Sequence, residues 1–364
     1  PELVLRGVGE FLFDLADLGA DVILVERKSG PANRFDINAR GKRSVALNLK
    51  SAEGVEACLK LIGRADALIE GFRPGVMEKL GLGPDVCLSR NPRLIYGRMT
   101  GWGQDGPLAQ TAGHDINYLS ITGALHAMGR ANEPPMPPLN LVADYGGGAM
   151  FLAFGILAAL FERQTSGRGQ VIDAAMVDGV PALMGLIHGF VASGFWTRKR
   201  EANWLDGGAP FYGCYETADG KYLSVGPLEP QFFAELVDRA GLPQSHRASQ
   251  NDRATWEERR RDYAALFRMR TRDAWMALFE GTDACVAPVL GWDEVEQHPH
   301  NAARGNFLRV DGVLQSAPAP RFSRTPAASP QCPAAPGAAG AEILREAGYS
   351  PAEIETLKAR GGLL

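Results

Sequence analysis

Three titratable side chains stand in segments where proton chemistry could be done. His114 lies in GHDINY, Asp144 in LVADYGGGAMFLAF and Glu229 in GPLEPQFFAEL. Taking a proton from carbon and returning it to the other face needs two groups flanking one atom, each with a pKa near the working pH. An imidazole and a perturbed carboxylate meet that need. Each residue also has a structural alternative. Asp144 precedes a glycine-rich helix start and Glu229 precedes Pro230, so either carboxylate could cap a helix by accepting from free backbone N–H groups. For these acids capping and catalysis are compatible, because the same N–H groups could hold an enolate oxygen. His114 could equally be a structural histidine bonded to a neighbour.

The remaining histidines read differently. His126, in GALHAMGR, is expected to be structural or to line a pocket, and His188, in an apolar helix, to be buried packing. His298 and His300, in QHPHN, lack nearby Cys or carboxylate ligand geometry, so no metal site is expected. Asp115 and Asp178 read as hydrogen-bonding or capping groups. A G-x-S-x-G elbow, a P-loop and an HExxH helix are all absent from the sequence, which leaves serine-hydrolase, P-loop and zincin chemistry without support.

Basic residues cluster near the ends of expected strands. Arg27 and Lys28 close DVILVERK, Arg40, Lys42, Arg43 and Lys50 lie in ARGKRSVALNLK, and Arg73 lies in EGFRPG. Singly, each suits a solvated surface; together they suggest a pocket for a multiply phosphorylated small ligand. RGVGEFL offers two glycines of a dinucleotide-binding turn but has Leu12 in the third glycine's place, a weak match even with Glu26 as a ribose-binding acid.

The elements that must position these groups follow from periodicity. DVILVER, DALIEGF and RLIYGRM read as strands separated by amphipathic helices such as SAEGVEACLKLIGRA. That alternation argues for a parallel, doubly wound sheet with ligands at the strands' carboxyl ends. Apolar helices are expected over residues 146–162 and 176–190. Beyond Ser193, PFYGCYETADGKYLSVG reads as a hairpin turning at Asp219 and Gly220, and residues 221–310 as a smaller α/β domain. A Pro/Ala-rich linker leads to GYSPAEIETLKARG, where Ser350, Pro351 and Glu353 spell a capping box.

Bulk properties narrow the class. The 364 residues are 45% hydrophobic and 22% charged, with a formal net charge of −4. That balance argues against general nucleic-acid or membrane-surface binding. Five scattered cysteines (Cys58, Cys87, Cys214, Cys285 and Cys332), never in a CxxC pair, fit reduced thiols in the cytoplasm. No signal peptide or peroxisomal tripeptide is recognised. The apolar run AMFLAFGILAALF is too short to span a bilayer and is expected to be a buried helix.

In chain order, RGKRSVALNLKS, EGFRPGVMEKLGLGP, RLIYGRMTGWGQDGP, AGHDINYLSITG, PLNLVADYGGG, SGRGQVIDAAMVDG and LDGGAPFYGCYETADGKYLSVG resemble the family III CoA-transferase superfamily, and within it the members that racemise 2-methylacyl-CoA thioesters. The resemblance covers residues 18–325; the opening PELVLRGVGEFLFD departs from the family's usual first strand and loop. It implies an α/β fold with a large Rossmann-like domain over residues 1–192, rejoined by 325–364, and a small domain over 221–310. Long linkers, 193–220 and 311–324, would join them in an interlocked homodimer. It implies catalysis by His114 and Asp144, with Glu229 supporting the histidine, where large and small domains of different chains meet. CoA would be held by Arg27, Arg40, Lys42, Lys50, Gly71 and Arg73. No cofactor is implied, since coenzyme A is part of the substrate, and neither a nucleic acid nor a membrane partner is expected. The alternative within the superfamily is a CoA-transferase in which Asp144 attacks the thioester.

Overall fold

The structure is a computed structural model that describes residues 2–6 and 13–364, with side chains described from residue 15 onward. Residues 7–12, which carry the RGVGEFL match, lie outside the described residues. The chain forms two compact units.

The first unit comprises residues 1–122, 139–183 and 302–364. Its six-stranded sheet is parallel throughout, in the order β3 (Lys42–Ala46), β2 (Asp21–Glu26), β1 (Glu2–Arg6), β4 (Ala67–Glu70), β5 (Ile95–Thr100), β6 (Gln170–Ala175). Central strands are buried along nearly their whole length, as in ALIE of β4, which is why they read as continuous apolar runs. The helix Ala52–Ile62 returns the chain from β3 to β4. Ser51 caps it by accepting from the Gly54 N–H, and Gly54 must lack a side chain because a Cβ would stand 2.1 Å from the Asn48 carbonyl oxygen. Parallel pairing brings the carboxyl ends of all six strands to one edge of the sheet. Arg27, Leu47, Gly71 and Gly101 therefore leave the sheet on the same side.

The chain's end closes this unit. Ile343, Leu344, Ile354 and Leu357 are buried in the same core as Ile23, Val45 and Leu68, and Leu363 pairs with Leu47. The capping box at Ser350 forms as read, with its N–H donating to Glu353 at 2.7 Å and its hydroxyl accepting from the Glu353 N–H.

Two helical expectations are corrected. The apolar helix is one continuous 26-residue rod over Leu141–Ser166, long and apolar enough by length and composition to cross a membrane. It is not buried all round. Leu152 and Ile156 pack on β5, where a side chain at Gly97 would meet Leu152 at 2.8 Å, while Phe154 and Phe161 are 73% and 81% exposed. The segment expected as one helix over 176–190 is two, Met176–Leu183 and Gly185–Ala192, with Pro181 inside the first.

The second unit comprises Gly123–Pro138 and Met184–Asn301. Its antiparallel sheet orders β7 (Gly213–Glu216), β8 (Tyr222–Val225) and β9 (Val286–Val289). The expected hairpin turns at Asp219 and Gly220, with Gly220 at φ 71° and the Thr217 N–H donating to the Lys221 carbonyl. Its core is aromatic, built from Phe211, Tyr215, Phe233, Tyr263, Phe267 and Trp275. His188 lies in this unit and is exposed, because the helix Gly185–Ala192 has no buried residue. His126 is likewise exposed; its carbonyl, rather than its ring, is engaged, accepting from Arg200.

Candidate active site

The loop after β5 carries the first catalytic candidate. Tyr118, in the helix Asp115–Thr122, lays its ring against Gly101 and Gly113. A Cβ on Gly101 would fall 1.9 Å from that ring, and one on Gly113 2.7 Å from it. Trp102 meets the same ring edge-on at 4.7 Å, and the Tyr118 hydroxyl donates to the Gly113 carbonyl at 2.5 Å. These contacts fix the backbone just before His114. His114 itself starts the helix: its carbonyl accepts from the N–H groups of Asn117 and Tyr118, and its N–H donates to the Asn117 side chain at 3.1 Å. The backbone is thus engaged on both sides while the imidazole is exposed.

Asp144 sits inside a π-helical stretch, Leu141–Ala149, that runs directly into the helix Met150–Ser166. The wider turn marks a local departure from the α-helical ladder of the kind found at functional sites. Its glycines allow backbone-to-backbone contact with the helix Met176–Leu183. A Cβ on Gly179 would stand 1.9 Å from the Gly147 carbonyl oxygen, and one on Gly147 2.9 Å from the Val180 nitrogen. Asp144 does not cap this helix. The role falls to the buried Asp115, whose Oδ2 accepts from the N–H groups of Ala143 and Asp144, both at 2.9 Å. Asp115 is a hydrogen-bonding group, as its sequence position suggested.

The electrostatics tie these residues together. Burial raises the Asp144 carboxyl pKa above its ordinary value, and the Asp115 charge raises it further. A hydrogen bond from Asn140 and the positive form of His114 pull it back. Burial likewise raises the Tyr118 hydroxyl, with Asp144 adding to the effect and Arg73 opposing it. His114, Asp115, Tyr118, Asp144 and Arg73 therefore form one electrostatic neighbourhood within the first unit. A carboxyl with a raised pKa holds its proton more readily than an ordinary aspartate, which suits a group that must both take and return one.

The basic candidates divide. Arg27 and Lys50 line a cavity of about 560 Å³ at the carboxyl edge of the sheet, together with Asn48, Leu49, Phe72 and Val76. Gly71 and Arg73 flank Phe72, and Arg73 is exposed. Arg40 is not on that cavity. It is fully buried, paired with Asp17 at 2.5 Å, and donates to the Gln315 side chain and the Ser316 carbonyl, both at 2.9 Å. Lys42 is also buried, on β3. The structure thus brings Arg27 and Lys50 together beside Gly71 and Arg73, and keeps Arg40 and Lys42 apart from them.

Glu229 belongs to the second unit. It occupies the N-cap position of the helix Pro230–Ala240, yet its side chain makes no capping bond and is exposed. Its charge reaches the Cys285 thiol, whose pKa is raised first by burial and then by Glu229. Cys285 helps to line a cavity of about 490 Å³ with Arg130, Met136, Tyr212, Cys214 and Ser224. Among the described residues, no group of three or more His, Cys, Asp or Glu side chains is placed to share a metal ion.

The sequence profile of CoA-transferase family III matches residues 12–340. The chain belongs to that family. It is 48% identical to α-methylacyl-CoA racemase of Mus musculus over 342 residues, covering 93% of this chain and 89% of the relative. It is 44% identical to α-methylacyl-CoA racemase of Homo sapiens over 348 residues, covering 94% and 90%. A crystal structure of a CaiB/BaiF family protein from Brucella suis matches with a TM-score of 0.76 at 28% identity, covering 95% of this chain and 98% of that one.

In this family III chain, sequence reasoning passed over two features that shape the site of the first unit, Tyr118 and its glycine clearances at Gly101 and Gly113, and, separately, the cavity of the second unit. A signal for Tyr118 was present. Asp115 and Tyr118 stand three apart at the head of a helix, a spacing that puts both on one face. For the second cavity the only signal is the motif LDGGAPFYGC, which supplies Asp206, Gly207, Tyr212, Gly213 and Cys214 to its wall.

Proposed function

We propose that the chain racemises 2-methylacyl-CoA thioesters, interconverting the (2R) and (2S) forms by proton transfer through an enolate. The observation that carries this reading is that His114 and an Asp144 whose carboxyl pKa is raised lie within reach of each other's charge, in a chain nearly half identical to named racemases. The thioester carbonyl acidifies the α-carbon. One of His114 and Asp144 takes the proton, and the other returns one to the opposite face. The start of the helix Asp115–Thr122 offers backbone N–H groups to the enolate oxygen. Arg27, Lys50 and Arg73 would hold CoA phosphates, with Gly71 allowing close backbone approach. Arg40 and Lys42 would act by shaping the sheet edge from within. No metal or redox cofactor is called on, since the thioester supplies the activation.

The strand order 3-2-1-4-5-6 supports a Rossmann-like large domain. An interlocked homodimer is supported by the apolar stripe of Met150, Phe154, Leu157 and Phe161, exposed beside the edge strand β6. In such a dimer Glu229 would orient the imidazole of His114. Five free cysteines support a reducing, cytoplasmic setting. The test is α-proton exchange into heavy water from one enantiomer, with no acceptor acid present. Exchange that is lost in His114→Ala and Asp144→Ala supports racemisation. Acyl transfer that requires a second carboxylic acid, with no exchange, replaces it with a transferase in which Asp144 attacks the thioester.

A further inference from the structure

The π-helical stretch Leu141–Ala149 begins with backbone N–H groups that have no partner within the helix. Asn140, at its N-cap position, makes no side-chain capping bond. Two of those groups, the N–H of Ala143 and of Asp144, are instead taken by one oxygen of Asp115. This carboxylate comes from a different element, and it follows His114 directly in sequence. A single side chain therefore connects the start of the histidine's helix to the backbone of Asp144.

A neutral amide could accept the same two hydrogen bonds at lower cost. Asp115 is 5% exposed, and among the described residues its other oxygen, Oδ1, is buried without a hydrogen-bond partner. Burying a charged group that is only half satisfied is unfavourable. An Asn there would bury no charge, although its NH2 group would stand unpartnered in the place of Oδ1.

We infer that Asp115 is a positioning residue for the proton transfer, whose buried carboxylate pins the Asp144 backbone against the His114 loop and whose charge acts on the Asp144 carboxylate. The charge effect has the required sign, since Asp115 is the main neighbouring group that raises the Asp144 pKa. Among the described residues, His114 and the Asn140 amide oppose the rise, and the charge of Asp144 in turn acts on the Tyr118 hydroxyl, which Arg73 influences in the opposite sense. The packed helix Met176–Leu183 brings one titratable residue, Asp178, whose charge acts on Asp173.

This inference rests on the reading of Asp144 as a proton-transfer group. The experiment uses Asp115→Asn, Asp115→Ala and Asp144→Asn in the full chain. Initial α-proton exchange is measured from each enantiomer of a 2-methylacyl-CoA across pH. For the enantiomer whose exchange Asp144→Asn abolishes, Asp115→Asn should move the acidic limb of kcat/KM to lower pH and leave KM within about twofold. Asp115→Ala, which also frees the two N–H groups, should lower kcat about 100-fold, the scale of an ångström's misplacement. An acidic limb that stays where it is in Asp115→Asn overturns the inference, and that variant decides the matter if Asp115→Ala does not fold. If Asp144→Asn exchanges both enantiomers at full rate, the reading of Asp144 fails instead.

Discussion

The region around His114 and Asp144 and the basic edge of the sheet use charge in opposite ways. Around Asp144, two carboxylates and an imidazole stand close with incomplete compensation, held by glycines that leave no room for side chains. At the basic edge, Arg40 is sealed against Asp17 with side-chain exposures of 0% and 1%, whereas Arg27 and Lys50 face an open cavity. A paired buried charge holds structure; an open one is free for a ligand; a crowded, half-buried one has its pKa moved. The difference teaches that residue type does not announce role here.

Substitutions can break that contrast in order of size. Asp144→Ala should lower the exchange rate by at least about 1,000-fold, within the range for a positioned acid or base, while the chain still folds. Measured kcat within tenfold of the parent would remove Asp144 from the chemistry. Arg40→Ala should act on stability instead, because it strands the buried Asp17. The expected loss is about 3–5 kcal/mol, read from denaturant unfolding. A shift under 1 kcal/mol would mean that the pair is not the structural element it looks to be.

Lys50→Ala should do neither. It is expected to raise KM for acyl-CoA about tenfold at unchanged kcat and melting temperature, as the loss of one charge-assisted phosphate contact would. An unchanged KM would take the cavity at Lys50 out of CoA binding. The smallest effect is a pH dependence. Because the folded-state pKa of Asp144 is raised, the native state loses stability as pH rises from the ordinary carboxylate value of 3.8 through the raised one. Asp144→Asn should therefore be slightly more stable than the parent at neutral pH. That advantage should vanish as pH falls below 3.8, where both states of the parent carry the proton. A neutral-pH destabilisation would contradict the sign.

Much of the scaffold was legible in the linear sequence. The strand runs, the hairpin turn at Gly220 and the capping box at Ser350 depend on a few adjacent residues, and the structure forms each of them. The apolar helix was harder to read. Its hydrophobic residues girdle the rod, so periodicity could not tell the face packed on β5 from the face bearing Phe154 and Phe161. The carboxylates at Asp144 and Glu229 looked like caps because both lie near helix starts. Capping, however, is decided by side-chain geometry, and the cap at Asp144 comes from Asp115 in a different element.

By itself the sequence determined the alternation of strands and helices, the family and the identity of the candidate groups, because these reside in local pattern and ordered motifs. Tertiary structure alone decided that Arg40 is interior and Lys50 open, and that Asp115 holds the Asp144 backbone. Only folding could also set Tyr118 between two glycines. The physical reason is that burial, pairing and close backbone approach depend on residues far apart in the chain: Asp17 and Gln315 for Arg40, Ala143 and Asp144 for Asp115, Gly147 for Gly179.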